Sequence, residues 1–477
     1  MSSWAIRVYQ RLPSPARAAA AAARGWHLRL WRYGPETERL VAEALARESW
    51  SAEQWTRWRE ERLAFVLQRA ATRVPYYRDQ WAARRARGDR ASWELLENWP
   101  LLDKEPLRRT PHAFVADDQD ARAMFHEHTS GTTGKSLDLW WSRATVRAWY
   151  ALFEARWRRW YGVSRTDRWA IIGGQLITQV ERRKPPFWVW NPASGQLYMS
   201  AYHLAPDLIP HYLDAMRRRR VRYIYAYTSA LHALAQGADQ RQARALGLRV
   251  AITNAEPVLD HQRAAIEDAF GCPVRETYGM SEIVTAASEC EHGSLHGWPE
   301  AGVVELLDGG APVAEGEGAG DLVCTGLLNA DMPLVRYRLG DRASLAPSND
   351  RCACGRTLFR FERIEGRSDD TLYTRDGRAV GRMDPVFKSR SPIREAQIIQ
   401  ESLDRIRVRL VPAEGYTAAD GEALAGRIRE RLGDVVIQLD PVQVIERTSN
   451  GKLRAVVCAL GPKERERLRQ SRRSAAR

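Results

Sequence analysis

The sequence predicts an α/β protein in two parts. A large N-terminal domain is expected to combine layered α/β subdomains with a β-barrel-like subdomain. A hinge is expected to join it to a small α+β domain. Three observations predict this. The chain has 477 residues, too many for one ordinary core. Short apolar strands alternate with amphipathic helices from residue 145 to residue 277, the pattern of a sheet covered by helices. After Arg367 the pattern changes to roughly a hundred residues of hairpin and strand–helix–strand units, the size of a small domain. The expected boundaries are 1–366 for the first domain, 367–462 for the mobile second domain, and 463–477 for a basic tail read as disordered.

The elements follow in chain order. Residues 50–74 read as a helix, with Ser51 and Gln54 at capping-box spacing and Pro75 as its stop. Residues 145–161 read as a second helix, ended by Gly162. Val146, Trp149, Tyr150, Phe153, Trp157, Trp160 and Tyr161 line one face, and arginines fill the other. An aromatic stripe of this kind is core rather than a cofactor box. A helix near 206–219 leads into a strand at 221–227. A strand at 248–253 precedes a helix ending at Gly271 and a strand at 273–277. From 303 to 345 short β-rich runs between glycines (Val303–Leu307, Asp321–Thr325, Leu334–Tyr337) form the barrel-like part. Beyond the hinge, Leu372–Val380 reads as a hairpin turning at Asp376-Gly377.

Composition narrows the class. Hydrophobic residues make up 44% and charged residues 28%, which fits a folded globular chain and argues against global disorder. No apolar run approaches the ~18 residues of a membrane helix. The alanine run from Ala18 to Ala23, flanked by Arg17 and Arg24, is too short for a secretory signal, so a cytoplasmic protein with an N-terminal helix is expected. The net charge is +14, spread along the chain and dense only at Arg217–Arg220 and Lys463–Arg477. It reads as an arginine-rich solvated surface, with weak membrane-surface or polyanion contact as the alternative; no nucleic-acid motif accompanies it. Only six of the 73 basic residues are lysines. A lysine retained in such a sequence marks a place that needs a compact ammonium on a flexible stem. Cys272, Cys324 and Cys458 sit in apolar runs and read as core thiols, and six cysteines are too few for a disulfide framework.

Five short segments carry chemistry. In Thr129-Ser130-Gly131-Thr132-Thr133-Gly134-Lys135, after His128, glycines and hydroxyls let backbone N–H groups close on phosphate oxygens, and Lys135 adds charge. A flexible turn is the other reading. The pattern is not the GxxxxGK[ST] loop, because Thr129 stands where its first glycine belongs. Glu276-Thr277-Tyr278-Gly279-Met280-Ser281-Glu282 follows a strand. Its tyrosine can cover a purine, and Glu282 can hold Mg²⁺ against phosphate. In Arg336-Tyr337-Arg338-Leu339-Gly340-Asp341 the aspartate can take both hydroxyls of a ribose. Gly366-Arg367-Ser368-Asp369-Asp370 marks the composition break, and Ser449-Asn450-Gly451-Lys452 forms a glycine turn. Taken alone, the last two read as polar turns.

Together, in this order and spacing, TSGTTGK, YGMSE, RYRLGD, GRSDD and NGK resemble the motif set of the adenylate-forming superfamily, over roughly residues 60–460. Asn254-Ala255-Glu256-Pro257 and Cys354-Gly355-Arg356, followed by Gly366 to Asp370, resemble the phenylacetate–CoA ligase-like family. Pro185 to Trp188 and Tyr202-His203-Leu204 are similar to its capsule-biosynthesis branch. Ala226-Tyr227-Thr228-Ser229 departs from the proline that the family tends to place before the serine. The acid-pocket region also differs, which counts against an aryl-acetate substrate.

The resemblance implies ATP-dependent adenylation of a carboxylic acid with pyrophosphate release. The acyl group then passes to a thiol, of coenzyme A or a carrier, or to an amine. AMP transfer to a hydroxyl acceptor without a thioester is the alternative. Thr129 to Lys135 would hold the β- and γ-phosphates, and Tyr278 would cover adenine within the surface formed by Glu256, Pro257, Glu276, Thr277, Gly279 and Met280. Asp341 would fix the ribose. Lys452, Glu282 and Arg367 form the implied catalytic set, with Lys452 bridging carboxylate and ribose and Glu282 holding Mg²⁺. Rotation about Asp369 would move Lys452 away for the second half-reaction. Cys290 and His296, spaced C-x5-H, with Cys352 and Cys354 would suit a closed zinc site. His292 is the rival ligand, and three reduced thiols are the other reading. A homodimer is left open.

Overall fold

The computed structural model describes the chain except residues 1–7, 10, 129–136, 175–176, 179–181, 368–371, 376–378, 381–391, 448–452, 462–463, 466 and 468–477. The phosphate-loop segment, Asp369 and Lys452 therefore lie outside the described residues.

Helices α1 (Ser14–Arg32) and α2 (Thr37–Ala46) open the described chain. Ser51 caps α3 (Ala52–Arg73) in a two-way box with Gln54. Pro75 both ends that helix and starts α4 (Pro75–Ala86), where a missing N–H costs nothing at the first position. After strands β1 (Phe125–His128) and β2 (Asp138–Trp141), α5 (Arg143–Trp157) carries the aromatic stripe. Its other face is not all solvent. Arg156 is fully buried, with a two-pronged pair to Glu300 at 2.8 and 2.9 Å. The helix stops at Trp157; Trp160 and Tyr161 belong to a following 3₁₀ turn that Gly162 closes in the left-handed region.

The parallel strands are β3 (Trp169–Gly173), β5 (Gln196–Ser200), β6 (Tyr223–Tyr227), β7 (Val250–Asn254) and β8 (Val274–Gly279), with β4 (Trp188–Asn191) antiparallel at the edge. Helices α6 (Ile209–Arg219), α7 (Thr228–Gln236) and α8 (Asp260–Phe270) cover one face. The β-rich segment adds β9 (Ala286–Glu289), β10 (Leu295–Gly297), β11 (Gly302–Asp308), β12 (Ala311–Pro312), β13 (Ala319–Gly326), β14 (Tyr337–Leu345) and β15 (Arg360–Arg367). Among the described residues it does not stand as a separate sheet. β8 pairs with both β7 and β9, giving one sheet of thirteen strands in the order β12-β11-β13-β14-β15-β10-β9-β8-β7-β6-β3-β5-β4. Leu334 to Val335, expected in a strand, lie in the connection before β14.

The C-terminal part has its own core of Ile398, Ile406, Val408, Leu410, Leu424 and Ile428. After the short pair β16 (Leu372–Tyr373) and β17 (Ala379–Val380), it consists of β18 (Ile393–Ser402), β19 (Arg405–Pro412), α9 (Ala418–Leu432), β20 (Val436–Pro441) and β21 (Val456–Cys458). Its sheet runs β20-β19-β18-β21. Cys272, Cys324 and Cys458 are buried free thiols, as expected. No described helix is long and apolar enough to cross a membrane.

Candidate active site

At the carboxyl end of β8 the chain exits onto β9, and two of the motifs meet there. The Tyr278 phenol donates to Asp341 Oδ2 at 2.6 Å, joining YGMSE to RYRLGD. Burial pushes that phenol well above its usual range, and the adjoining Asp341 carboxylate adds to the effect. Asp341 sits on β14 opposite Arg367 of β15. The fully buried Tyr337 donates to Glu282 Oε1 at 3.0 Å. The strand below is tied into the sheet: Thr277 Oγ1 donates to the Thr253 carbonyl at 2.6 Å, and the Glu276 N–H donates to Glu289 at 2.6 Å. Gly279 lies close under Trp157, since a Cβ there would sit 3.0 Å from the ring. Met280 accepts the Ile283 N–H at 3.1 Å, and Ile283 adopts φ +47°. Lys104 was missed by sequence reasoning. Its ammonium donates to the Leu339 carbonyl at 2.7 Å, inside RYRLGD. The scarcity of lysine was the signal that could have found it.

Glu256 joins three elements. Ala255 takes φ +63°, turning the chain just before the glutamate. The carboxylate then accepts the Ser229 N–H at 2.7 Å and the Ser229 hydroxyl at 3.1 Å, at the start of α7. It also accepts the Leu453 N–H at 3.0 Å. Thr228 Oγ1 donates to the Glu256 carbonyl at 3.0 Å, and Pro257 follows, exposed. Burial raises the Glu256 carboxyl while these hydrogen bonds and the Arg447 charge oppose it. Leu453, the first described residue after the NGK segment, is thus bonded to the AEP element. Thr228 and Ser229, noted only as a departure from the family pattern, are thus contacts of the site. Thr129, Ser130, Gly131, Thr132, Thr133, Gly134, Lys135, Asp369 and Lys452 are not placed.

A second cluster lies behind β9 and β10. The ligand atoms of Cys290, His296, Cys352 and Cys354 all fall within 4.8 Å of one another. Cys290 Sγ is 3.7 Å from Cys352 Sγ, and Cys354 Sγ is 3.3 Å from His296 Nε2. His296 Nδ1 faces the Leu358 carbonyl at 3.4 Å, which turns Nε2 toward the thiols. The rival His292 is exposed and outside the cluster. Burial drives His296 down to about 4, keeping the imidazole neutral, and drives Cys290 up to about 12. At Cys352 burial acts in the same upward sense, but hydrogen bonds from Ser294 and Cys354 hold the thiol below its usual value. Sulfurs around a tetrahedral Zn²⁺ at about 2.3 Å lie about 3.8 Å apart, so the four side chains fit that ion.

The comparisons agree with this geometry. Residues 55–331 match the AMP-binding enzyme family and residues 372–459 match the CapK C-terminal domain. The chain is 26% identical to Protein CapK of Staphylococcus aureus over 319 residues, covering 65% of this chain and 68% of that one. It is 30% identical to phenylacetate-coenzyme A ligase of Pseudomonas putida over 330 residues, covering 66% and 71%. Among solved structures, 2-hydroxyisobutyryl-CoA ligase in the postadenylation state superposes with TM-score 0.67 at 20% identity, covering 90% and 94%. The same enzyme in the thioesterification state gives 0.52 at 21% identity over the same shares. With a family model over more than half its length, the chain belongs to the AMP-binding enzyme family, in its phenylacetate–CoA ligase-like capsule branch, and is an AMP-forming ligase that uses ATP.

Proposed function

We propose that the chain adenylates a carboxylic acid, releases pyrophosphate, and passes the acyl group to a thiol, with coenzyme A or a carrier as acceptor. The observation that supports this reading is the meeting of two motifs at one cleft, where Tyr278 donates to Asp341 and Tyr337 to Glu282. Attack of a carboxylate on the α-phosphorus needs no covalent help from the protein; charge and alignment limit it. Asp341 keeps acceptor capacity for ribose hydroxyls while Tyr278 holds it in place. Glu282, oriented by Tyr337, is the residue to hold Mg²⁺, which supplies charge neutralisation for the leaving pyrophosphate. Lys452 supplies a mobile ammonium to the reacting oxygens, and the hinge at Asp369 lets the domain of residues 367–462 withdraw it for the thiol step.

Cys290, His296, Cys352 and Cys354 would hold a structural Zn²⁺. Four protein donors leave no open position. The Arg356 guanidinium, bonded to Cys354, offsets the negative charge of three thiolates. Pyrophosphate release across a panel of acids, with and without coenzyme A, tests the reading. Acid-dependent release, with thioester formed only when coenzyme A is present, is expected. Label from ATP retained as AMP on the acceptor would instead select hydroxyl adenylylation.

A further inference from the structure

Strand β3 lies between β5 and β6, so the chain leaves it in one direction and returns on its other side. At such a switch point the loops above the carboxyl ends diverge and leave a crevice. The register defines its lining. Ile171 pairs with Tyr198 on one side and with Tyr225 on the other. Residues two apart share a face, so the next row upward is Gly173, flanked by Ser200 and reached by Tyr227. A Cβ at Gly173 would sit 3.9 Å from Tyr227 Cζ. The absent side chain leaves room beside Tyr227, whose phenol lies in the field of Glu256. Helix α5 covers this face, with the Phe153 ring 5.8 Å from Tyr225 and 5.9 Å from Tyr150. Arg32, the last residue of α1, stacks over the Tyr150 ring at 4.3 Å.

The lining is polar and incompletely paired. Among the described residues the Tyr150 and Tyr198 hydroxyls make no hydrogen bond, and Arg32 pairs with no carboxylate. The Arg32 Nε is shielded from solvent and has no acceptor. Tyr150, Tyr198 and Tyr225 are half-buried between the sheet and the helix rather than sealed in the core. Burial pushes the Tyr198 phenol up, and the charges of Arg32 and Arg24 act in the opposite sense, which places all three groups in one electrostatic neighbourhood. A shielded polar atom without a partner, such as the Arg32 Nε, is rare in a finished fold because it forfeits hydration without replacement, and the two phenols beside it have no protein partner among the described residues either. A ligand that supplies acceptors accounts for them. An alkyl or unsubstituted aryl tail would leave them unpaired.

We infer that this crevice receives the tail of the acid, and that the substrate class is a polar carboxylic acid carrying a second anionic group, held by Arg32 with Tyr150 and Tyr198 as hydrogen-bonding flanks. The inference rests on the adenylation reading only for which end of the acid reacts. As the last residue of α1, Arg32 also faces the negative end of that helix. A purely structural role of that kind would move thermal stability but not the choice between acids.

The test uses the full chain and two matched pairs: adipate against hexanoate, and 4-carboxyphenylacetate against phenylacetate. Binding is followed by calorimetry without ATP, and turnover by pyrophosphate release. The second carboxylate should tighten binding at least tenfold. Arg32→Gln should erase that difference through KM, with kcat and the neutral-tailed acids little changed. Tyr198→Phe, which removes only a hydroxyl, should act in the same direction more weakly and serves if Arg32→Gln fails to fold. Equal or tighter binding of the neutral-tailed acids, no binding of either diacid, or a loss on Arg32→Gln shared by all four acids would overturn the inference. Arg32-dependent binding of diacids without pyrophosphate release would support it and count against adenylation instead.

Discussion

The Cys/His corner and the cleft at Tyr278 and Asp341 lie on either side of β9, and their polar groups are arranged in opposite ways. At the corner, four donor atoms face one another within 4.8 Å, and the second imidazole nitrogen of His296 is turned to a carbonyl. In the cleft, two carboxylates are each held by a phenol and keep an oxygen to spare: Asp341 by Tyr278, Glu282 by Tyr337. A closed set of ligands suits an ion that stays. Carboxylates that are oriented but not saturated suit ligands that come and go, because orientation is settled before binding while acceptor capacity is retained. The contrast assigns stability to the corner and chemistry to the cleft, and it can be broken at either end.

The largest effect is expected at Lys452. Lys452→Ala should lower acyl-AMP formation by about a thousandfold or more, ~4 kcal/mol of transition-state stabilisation, while leaving conversion of a supplied acyl-AMP near its normal rate. Equal loss in both half-reactions would remove the domain motion from the scheme. The corner should respond in the other currency. Cys352→Ser should release zinc and cost on the order of 4 kcal/mol of stability, as loss of a metal ligand does. Below the new melting temperature, pyrophosphate release should be little changed. Elemental analysis with melting curves checks this; a protein without metal and with freely titrating thiols would end the zinc assignment.

Asp341→Ala comes next. It removes the proposed acceptor for ribose and takes away the hydrogen-bond acceptor of the half-buried Tyr278 phenol. ATP binding should weaken by about 1.5–3 kcal/mol. Calorimetry with ATP alone measures it, and unchanged affinity would move the ribose contact elsewhere.

Much of this was legible in the sequence, for reasons that differ by region. The C-x5-H and C-x-C-G spacings named the four donors because coordination restricts residue type and short-range spacing together. The capping box at Ser51 and Gln54 was readable for the same local reason. What was not legible depended on contacts far apart in the chain. Arg156 sat on a face read as solvent, and Glu300, which neutralises it, is 144 residues away. The β-rich segment read as a separate subdomain, since nothing local records that β8 pairs on both edges. Thr228-Ser229 read as a segment lacking the proline before its serine, and nothing local marked Ser229 as a donor to Glu256. Arg32 carried no signal at all: a helix-terminal arginine in an arginine-rich chain becomes notable only when the fold sets it over Tyr150 without a carboxylate.

The smallest effect sharpens the comparison most, because it concerns a carboxylate that belongs to the cleft yet is nearly saturated. Glu256 accepts from the Ser229 N–H, the Ser229 hydroxyl and the Leu453 N–H, and only the last comes from the C-terminal part. Glu256→Gln keeps one carbonyl oxygen to accept but puts an NH₂ where the second oxygen accepted. One of the two sets of bonds must weaken, by about 1 kcal/mol. If the Ser229 bonds persist, the loss falls on Leu453, and its amide should exchange several-fold faster with deuterium while the amides of α7 keep their protection. Acyl-AMP formation should fall in proportion, and the thiol step should not. The charge has a separate signature. Burial raises the Glu256 pKa above its unfolded value, so its contribution to stability is greatest below the unfolded pKa and declines as pH rises through the folded one. Glu256→Gln should flatten that decline. If exchange at Leu453 and the pH dependence are both unchanged, Glu256 is as self-contained as the Cys/His corner, and the Leu453 amide is protected by something else.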